Sequence, residues 1–317
     1  MTTESRTAPG AESTATLKSD LPLLALGVLC ASTSGPIIAA ITAPALAIAF
    51  WRNGLGTVFV LPFALARRDG ELARLSRRTL GLALFAGVVL AAHFSAYVPS
   101  LSYTTVASAT ALVCSQSVWA AVFSHILGER LPPAAWAGIG IALAGVLCVT
   151  GVDVSLDPRA MFGDVLALLG GILGGAYIVT GSRVRRHMST STYTALCYGT
   201  SALLLFAVCL VTGQQLVGFS VRDWVLIGAL TVLAQMLGHT IFNHVLRSTS
   251  PTVVSLAILF TVPLATVIAA VLVGQTPSPA AIPALALLVA GIGLVIWSRG
   301  RSSGRGRPDA DSNVEGP

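Results

Sequence analysis

Few side chains in this sequence could do chemistry out of reach of water. Arg52, His93, His239 and His244 stand inside long apolar stretches, and His125 near the end of another. An ionisable group in such surroundings costs roughly 2.5–3.5 kcal/mol on insertion scales, so each needs a partner or a task. No Asp or Glu falls in the middle of any of these stretches. His239 and Asn243 are four residues apart and share a helix face, with Thr240 and His244 on the adjacent one. His93 lies one position from the repeat equivalent of His239 in the pairing described below. Imidazoles and a side-chain amide can hold the polar groups of a small molecule. The alternative is structural: each ring donates to a nearby carbonyl and ties helices together.

Other polar groups extend the candidate set. Gln116 and Trp119 are three apart on one helix face, beside Ser115. In an apolar helix the Gln116 amide needs a hydrogen-bonding partner or water, and Trp119 could pack the apolar part of a bound molecule. Tyr97, Tyr177 and Gln235 join the set as lining residues. Ser34 joins it from Ser32-Thr33-Ser34-Gly35-Pro36, where Pro36 removes a backbone hydrogen bond and kinks the chain. Arg52 is either a fixed charge that snorkels to an outer vestibule and attracts a carboxylate or phosphate, or a structural donor to nearby carbonyls. His125 reads as interfacial.

The same inventory argues against enzymes. His239 and His244, five apart, point about 140° from one another on a regular helix, with no acid nearby to complete a metal site. No Ser/His/Asp set and no phosphate-binding glycine loop occurs, so neither hydrolysis nor ATP-driven work is indicated, and neither a metal nor a cofactor is expected. The five cysteines, Cys30, Cys114, Cys148, Cys197 and Cys209, all lie in apolar stretches without a Cys-x-x-Cys pair. They read as small packing residues.

These residues need a scaffold, and composition specifies its solvent. The chain has 317 residues, 54% hydrophobic and only 10% charged, with mean hydropathy +0.81. Soluble domains carry roughly 25% charged residues; a lipid bilayer is the environment this composition fits. Ten stretches reach the roughly 20 apolar residues that a crossing requires: 21–41, 44–66, 79–100, 104–127, 132–151, 163–183, 191–212, 224–246, 250–273 and 279–298. The net charge of +6 is scattered between the spans, which speaks for membrane topology and against nucleic acid. With the N-terminus inside, 16 of the 19 basic residues fall on the cytoplasmic side, Arg159 and Arg222 fall outside and Arg52 within a span. Positive residues mark the cytoplasmic side, so both termini are expected there, in a multi-pass protein of the cell inner membrane. Residues 1–20 and 299–317 read as disordered cytoplasmic tails, without a signal-peptide cleavage site.

The two halves repeat. Leu101-Ser-Tyr-Thr104-Thr aligns with Leu246-Arg-Ser-Thr249-Ser, Gly128-Glu129-Arg130-Leu131 with Gly274-Gln275-Thr276-Pro277, and Ala144-Gly145-Val146-Leu147 with Ala290-Gly291-Ile292-Gly293, at offsets of 145, 146 and 146. The reading is an all-α membrane protein of ten helices. A first repeat at 21–151, an outer linker at 152–162 and a second repeat at 163–298 complete the division. Five crossings per repeat invert the second relative to the first, a plan shared by many secondary transporters, with the binding site near the midplane between halves. In the second half, Gly170, Gly171, Gly174 and Gly175 supply overlapping Gly-x-x-x-Gly pairs for close helix approach. Pro263 is a second hinge candidate.

Motifs along both halves carry a resemblance. They are Trp51-Arg52, Tyr103-Thr104-Thr105-Val-Ala-Ser108, Gly128-Glu129-Arg130-Leu131, Gly163-Asp164, Gly238-His239-Thr240-Ile-Phe242-Asn243-His244, Ser250-Pro251-Thr252-Val-Val-Ser255 and Val262-Pro263. In this order they resemble the EamA-type transporters of the drug/metabolite transporter superfamily, over about residues 21–298. The resemblance implies ten helices, cytoplasmic termini, and export or exchange of amino acids, related metabolites or drugs. Two positions depart from the family pattern. Thr261 stands where Glu often precedes Val-Pro, which removes a buried acid, and Gln275 replaces the Glu of the second Gly-Glu link. The expectation is a secondary carrier, an exporter by alternating access, for a small-molecule substrate. Arg52 tips the choice toward an anionic or zwitterionic one such as an amino acid. Proton coupling through His239 or His93, uncoupled exchange, and a monomer or homodimer all fit; a channel or receptor without carrier activity is the alternative.

Overall fold

In lipid every backbone N–H and C=O must be satisfied within the chain, so an apolar sequence of this kind is driven into helices. The computed structural model describes residues 9–66, 71–128, 130–185, 187–245 and 257–305, and among them every regular element is helical. The expected features at Arg67, Arg68, Glu129, Arg186 and 246–256 (the Ser250–Ser255 motif included) lie outside the described residues, as do residues 1–8 and 306–317 of the two tails.

The helices are α1 (Pro9–Ser32), α2 (Ser34–Ala40), α3 (Ala45–Leu65), α4 (Glu71–Arg74), α5 (Arg77–Ser100), α6 (Val106–Cys114) and α7 (Gln116–Ile126) in the first half. After α8 (Pro133–Leu156) follow α9 (Ala160–Val184), α10 (Thr190–Val211), α11 (Val221–Leu230), a π-helix (Thr231–His239), α12 (Thr240–Val245), α13 (Thr261–Val273) and α14 (Ala281–Arg305). Seven stretches are long and apolar enough to cross a membrane: Leu21–Ala40, Ala45–Leu65, Arg77–Ser100, Val106–Ile126, Ala160–Val184, Thr190–Val211 and Val221–Val245. Pro133–Cys148, Ala257–Val273 and Ile282–Val295 are shorter apolar helices.

Local chemistry sets the ends. Ser76, Thr105, Ser189 and Ser220 each accept a hydrogen bond from the backbone N–H three residues on, the standard side-chain cap of a helix start. Gly128 and Gly274, aligned in the repeat, both adopt positive φ where α7 and α13 end; glycine alone takes that conformation without a β-carbon clash. Helix also reaches into both stretches expected to be disordered tails. Among the described residues it is already present at Pro9 and runs on to Arg305.

Among the described residues four spans are interrupted, where the sequence suggested hinges at Pro36 and Pro263; the ninth breaks at Phe260, three residues before Pro263. The first breaks at Thr33, just before Pro36, as expected. The fourth is divided at Ser115, whose N–H bonds back three residues to the Leu112 carbonyl at 3.1 Å. The eighth changes to a π-helix from Thr231 to His239, a widening that is often found at functional sites.

Glycine determines how closely the helices pack. A β-carbon at Gly291 would sit 2.3 Å from Ala142 N, one at Gly145 2.5 Å from Leu288 N, and one at Gly138 2.7 Å from Val295 N. These pairings run α8 and α14 antiparallel with their backbones in contact. On α9, Gly170 meets Tyr97 of α5, Gly171 meets Ser115, and Gly175 meets Trp119 and Ala120 of α7. The Gly-x-x-x-Gly pairs therefore serve two neighbours at once. Four of the cysteines are buried as packing residues, whereas Cys148 is exposed on the bundle surface.

The halves are also joined by polar bonds in the loops. Thr42 donates through N and Oγ1 to Asp223 at 3.0 and 2.7 Å, Trp51 Nε1 to the Leu216 carbonyl at 2.7 Å, and Thr104 Oγ1 to Asp164 at 2.8 Å. Gln275 Oε1 accepts from Val106 N, the first N–H of α6, at 3.0 Å. At the other end Glu71 accepts from Ser189 and Thr192.

The α8–α14 contact yields a prediction. Gly291→Val must displace backbone, so it should destabilise by at least the about 1–3 kcal/mol typical of overpacking. Gly140→Val, on the same α8 with nothing within 4 Å of its β-carbon position, should leave stability unchanged. Thermal unfolding of both variants in detergent checks this.

Candidate functional site

One cavity of ≈ 140 Å³ opens where the two halves meet. The first half contributes Ser34, His93, Tyr97, Thr110 and Gln116, and the second contributes Tyr177, His239, Asn243 and Thr261. Seven of the ten expected site residues therefore converge: Ser34, His93, Tyr97, Gln116, Tyr177, His239 and Asn243. Among the described residues the lining holds no Asp, Glu, Lys or Arg. It is a set of hydroxyls, amides and imidazoles on an apolar wall that includes Leu90, Phe94, Ile178 and Phe242.

Packing brings them there. Gly174 lets α9 approach until a β-carbon would lie 2.5 Å from Gln116 Oε1 and 3.3 Å from His93 Nδ1. His93 Nδ1 is 2.8 Å from the Gly170 carbonyl. A carbonyl only accepts, so Nδ1 carries the hydrogen and the neutral ring keeps Nε2 as an acceptor. The His93 ring stacks on Tyr97 with centroids 6.0 Å apart, and Phe94 meets His239 edge to face at 6.4 Å. Gly238 brings the π-helix against Ala31 of α1, which sets His239 and Asn243 beside the break in the first span.

Three expected residues stand elsewhere. Arg52 does not snorkel to an outer vestibule; it is fully buried. Its Nε and NH2 donate to Gln235 Oε1 at 3.1 and 2.7 Å, and NH1 donates to Ser34 Oγ at 3.3 Å. The guanidinium lies 4.3 Å above the Phe94 ring, a cation–π geometry. Gln235 is taken up by this contact and by Asn53 Oδ1 at 3.4 Å, one layer behind the cavity. Trp119 packs against Gly175 and near Phe123. It is the Trp119 β-carbon that meets Gly175, and the residue is half-buried and outside the cavity lining. His244 is exposed, and His125 sits beside Trp136, both outside the lining.

Thr110, Cys114 and Thr261 belong to the lining and were not among the expected residues. Thr261 is the departure from the family pattern noted in the sequence. Cys114 Sγ lies 3.5 Å from its hydroxyl. The end of α12 is held by Arg185, whose NH2 donates to the Asn243 carbonyl.

Gln235 is the main neutral ligand of the buried charge. Gln235→Leu removes both of its bonds to Arg52 and should cost about 1.5–3 kcal/mol for each, read as a lower unfolding temperature of the purified protein.

The EamA-like transporter family matches the chain twice, over residues 19–151 and 161–297. An uncharacterized transporter of Archaeoglobus fulgidus is 27% identical over 172 residues; the match spans 53% of this chain and 59%, less than two thirds, of that protein. The pseudopaline exporter CntI of Pseudomonas aeruginosa is 26% identical over 234 residues, 72% of this chain and 80% of the exporter. A crystal structure of another protein, 21% identical, superposes with a TM-score of 0.63 over 88% of this chain and 97% of that one, a likeness of fold. Two EamA repeats, an apolar helical bundle and transporter relatives fix the setting as a lipid bilayer and the partner as a small molecule. The chain is a multi-pass membrane protein of the EamA-like transporter family, within the drug/metabolite transporter superfamily.

Proposed function

We propose that this transporter is a secondary carrier that exports a small metabolite across the cell inner membrane by alternating access. The observation that carries this reading is the cavity between the halves, lined from both sides by uncharged hydrogen-bonding groups. Such groups can hydrogen-bond a polar solute and release it again. His239, Asn243, His93, Gln116, Tyr177, Tyr97 and Ser34 are the substrate-binding residues, with Arg52 and Gln235 behind them. At roughly 10–15 Å³ per water the cavity has room for on the order of ten waters, the scale of a compact metabolite.

The topology in this proposal has ten crossings, the three shorter apolar helices included, and both termini in the cytoplasm. The second repeat is inverted. The α8–α14 interface supports that inversion. Ala142 meets Gly291 and Gly145 meets Leu288, and each contact becomes the other when the repeats are exchanged. A two-fold relation between antiparallel helices produces this reciprocity. The outer loops then carry the Thr42–Asp223, Trp51–Leu216, Thr104–Asp164 and Val106–Gln275 bonds. Opening outward requires separating them. Export is proposed from the direction of the pseudopaline exporter.

Counterflow tests the carrier. Proteoliposomes loaded with one unlabelled compound from a panel of amino acids and other small metabolites should transiently accumulate the matching labelled compound, with saturation. His239→Ala should lower the rate about tenfold, as loss of one hydrogen bond of about 1–1.5 kcal/mol implies, with normal membrane insertion. Linear, non-saturating uptake would replace the carrier with a channel.

A further inference from the structure

Arg52 is a permanent cation with no anion beside it among the described residues. A guanidinium keeps its proton in proteins, and burying an uncompensated ion is costly. Its three hydrogen bonds go to neutral oxygens of Gln235 and Ser34, and no carboxylate pairs with it among the described residues. Dipoles solvate such a charge without cancelling it, so its field persists into the neighbouring cavity.

The wall between them is thin and polar. NH1 donates to Ser34 Oγ, which turns the serine's own hydroxyl hydrogen away from the guanidinium, and Ser34 lines the cavity. Two further hydroxyls stand close by. A β-carbon at Gly35 would lie 3.2 Å from Thr110 Oγ1 and 3.3 Å from the Tyr97 hydroxyl. Three hydroxyl groups thus gather at the end of the cavity nearest Arg52, in a positive field, with no acidic side chain among the described lining residues to oppose an anion.

We propose that the substrate supplies the missing anion: it is a compact monocarboxylate whose carboxyl group docks on the hydroxyls of Ser34, Tyr97 and Thr110 under the field of Arg52. One buried cation matches one negative charge. A phosphate dianion would bring a second charge that Arg52 alone cannot match, and the described lining holds no cation to meet it. The remainder of the substrate faces Gln116, His239 and Asn243. The inference rests on the carrier reading for its transport step and on Arg52 alone for its charge selectivity.

The test uses the full chain and matched acid–amide pairs, lactate with lactamide and pyruvate with pyruvamide. Both counterflow in proteoliposomes and thermal stabilisation of the detergent-purified protein are measured. Wild type should favour the acid over its amide by about ten- to a hundredfold, the range for a hydrogen-bonded charge. Arg52→Lys should keep part of that preference. Gln235→Glu sets a carboxylate of nearly the same shape beside Arg52, so this variant should fold and lose the preference. Equal handling of acid and amide by wild type, or an unchanged preference in Gln235→Glu, overturns the proposal. Acid-specific stabilisation without counterflow would support the anion site and remove the carrier. Saturable counterflow that ignores the acid–amide difference would keep the carrier and remove the anion site.

Discussion

A charge that cannot be neutralised in place constrains this bundle. Arg52 is fully buried and lies within an apolar helix, so its donors must find oxygen inside the protein. They find it on two other elements, Gln235 of the π-helix and Ser34 of α2. One side chain thereby fixes how α3, the broken first span and the widened eighth span meet. It also aligns Phe94, which carries the guanidinium on its ring and meets the edge of His239. The polar layer behind the cavity and the cavity wall are one construction.

The second constraint is the absence of a hydrophobic drive between helices in lipid. Association there depends on close packing and small residues. Gly170, Gly171, Gly174 and Gly175 let α9 touch α5 and α7 together, which carries Gln116 and His93 to the same wall. The α8–α14 pair, closed by Gly138, Gly145 and Gly291, stands away from the lining, since none of its described residues contributes to it. The protein therefore separates a packing interface between the halves from the wall of the cavity.

Interruptions in the helices mark the cavity. The breaks at Thr33 and Ser115 and the π-helix ending at His239 each fall beside lining residues: Ser32 and Ser34, Cys114 and Gln116, His239 itself. Irregular backbone at membrane depth is tolerated where protein or a polar cavity surrounds it. The irregularity and the cavity account for one another.

Much of this was legible in the residues. Apolar length and scarce charge indicated a membrane helix bundle, glycine spacing indicated close packing on α9, and the few polar groups in apolar surroundings nominated the site. Seven of the ten nominated residues converge, because a polar side chain within an apolar span has few places to go. Tertiary structure decided the rest. Helical spacing placed Trp119 beside Gln116, but in the bundle its β-carbon packs against Gly175 of α9 and the residue does not line the cavity. Gln235 carried no mark of its bond to Arg52, a partner 183 residues away. Nothing local distinguished a snorkelling arginine from a buried one. Only the three-dimensional arrangement supplied Gln235 and Ser34 as its ligands. Single-residue chemistry is written along the chain; the partners that turn it into a site are set by which helices pack together.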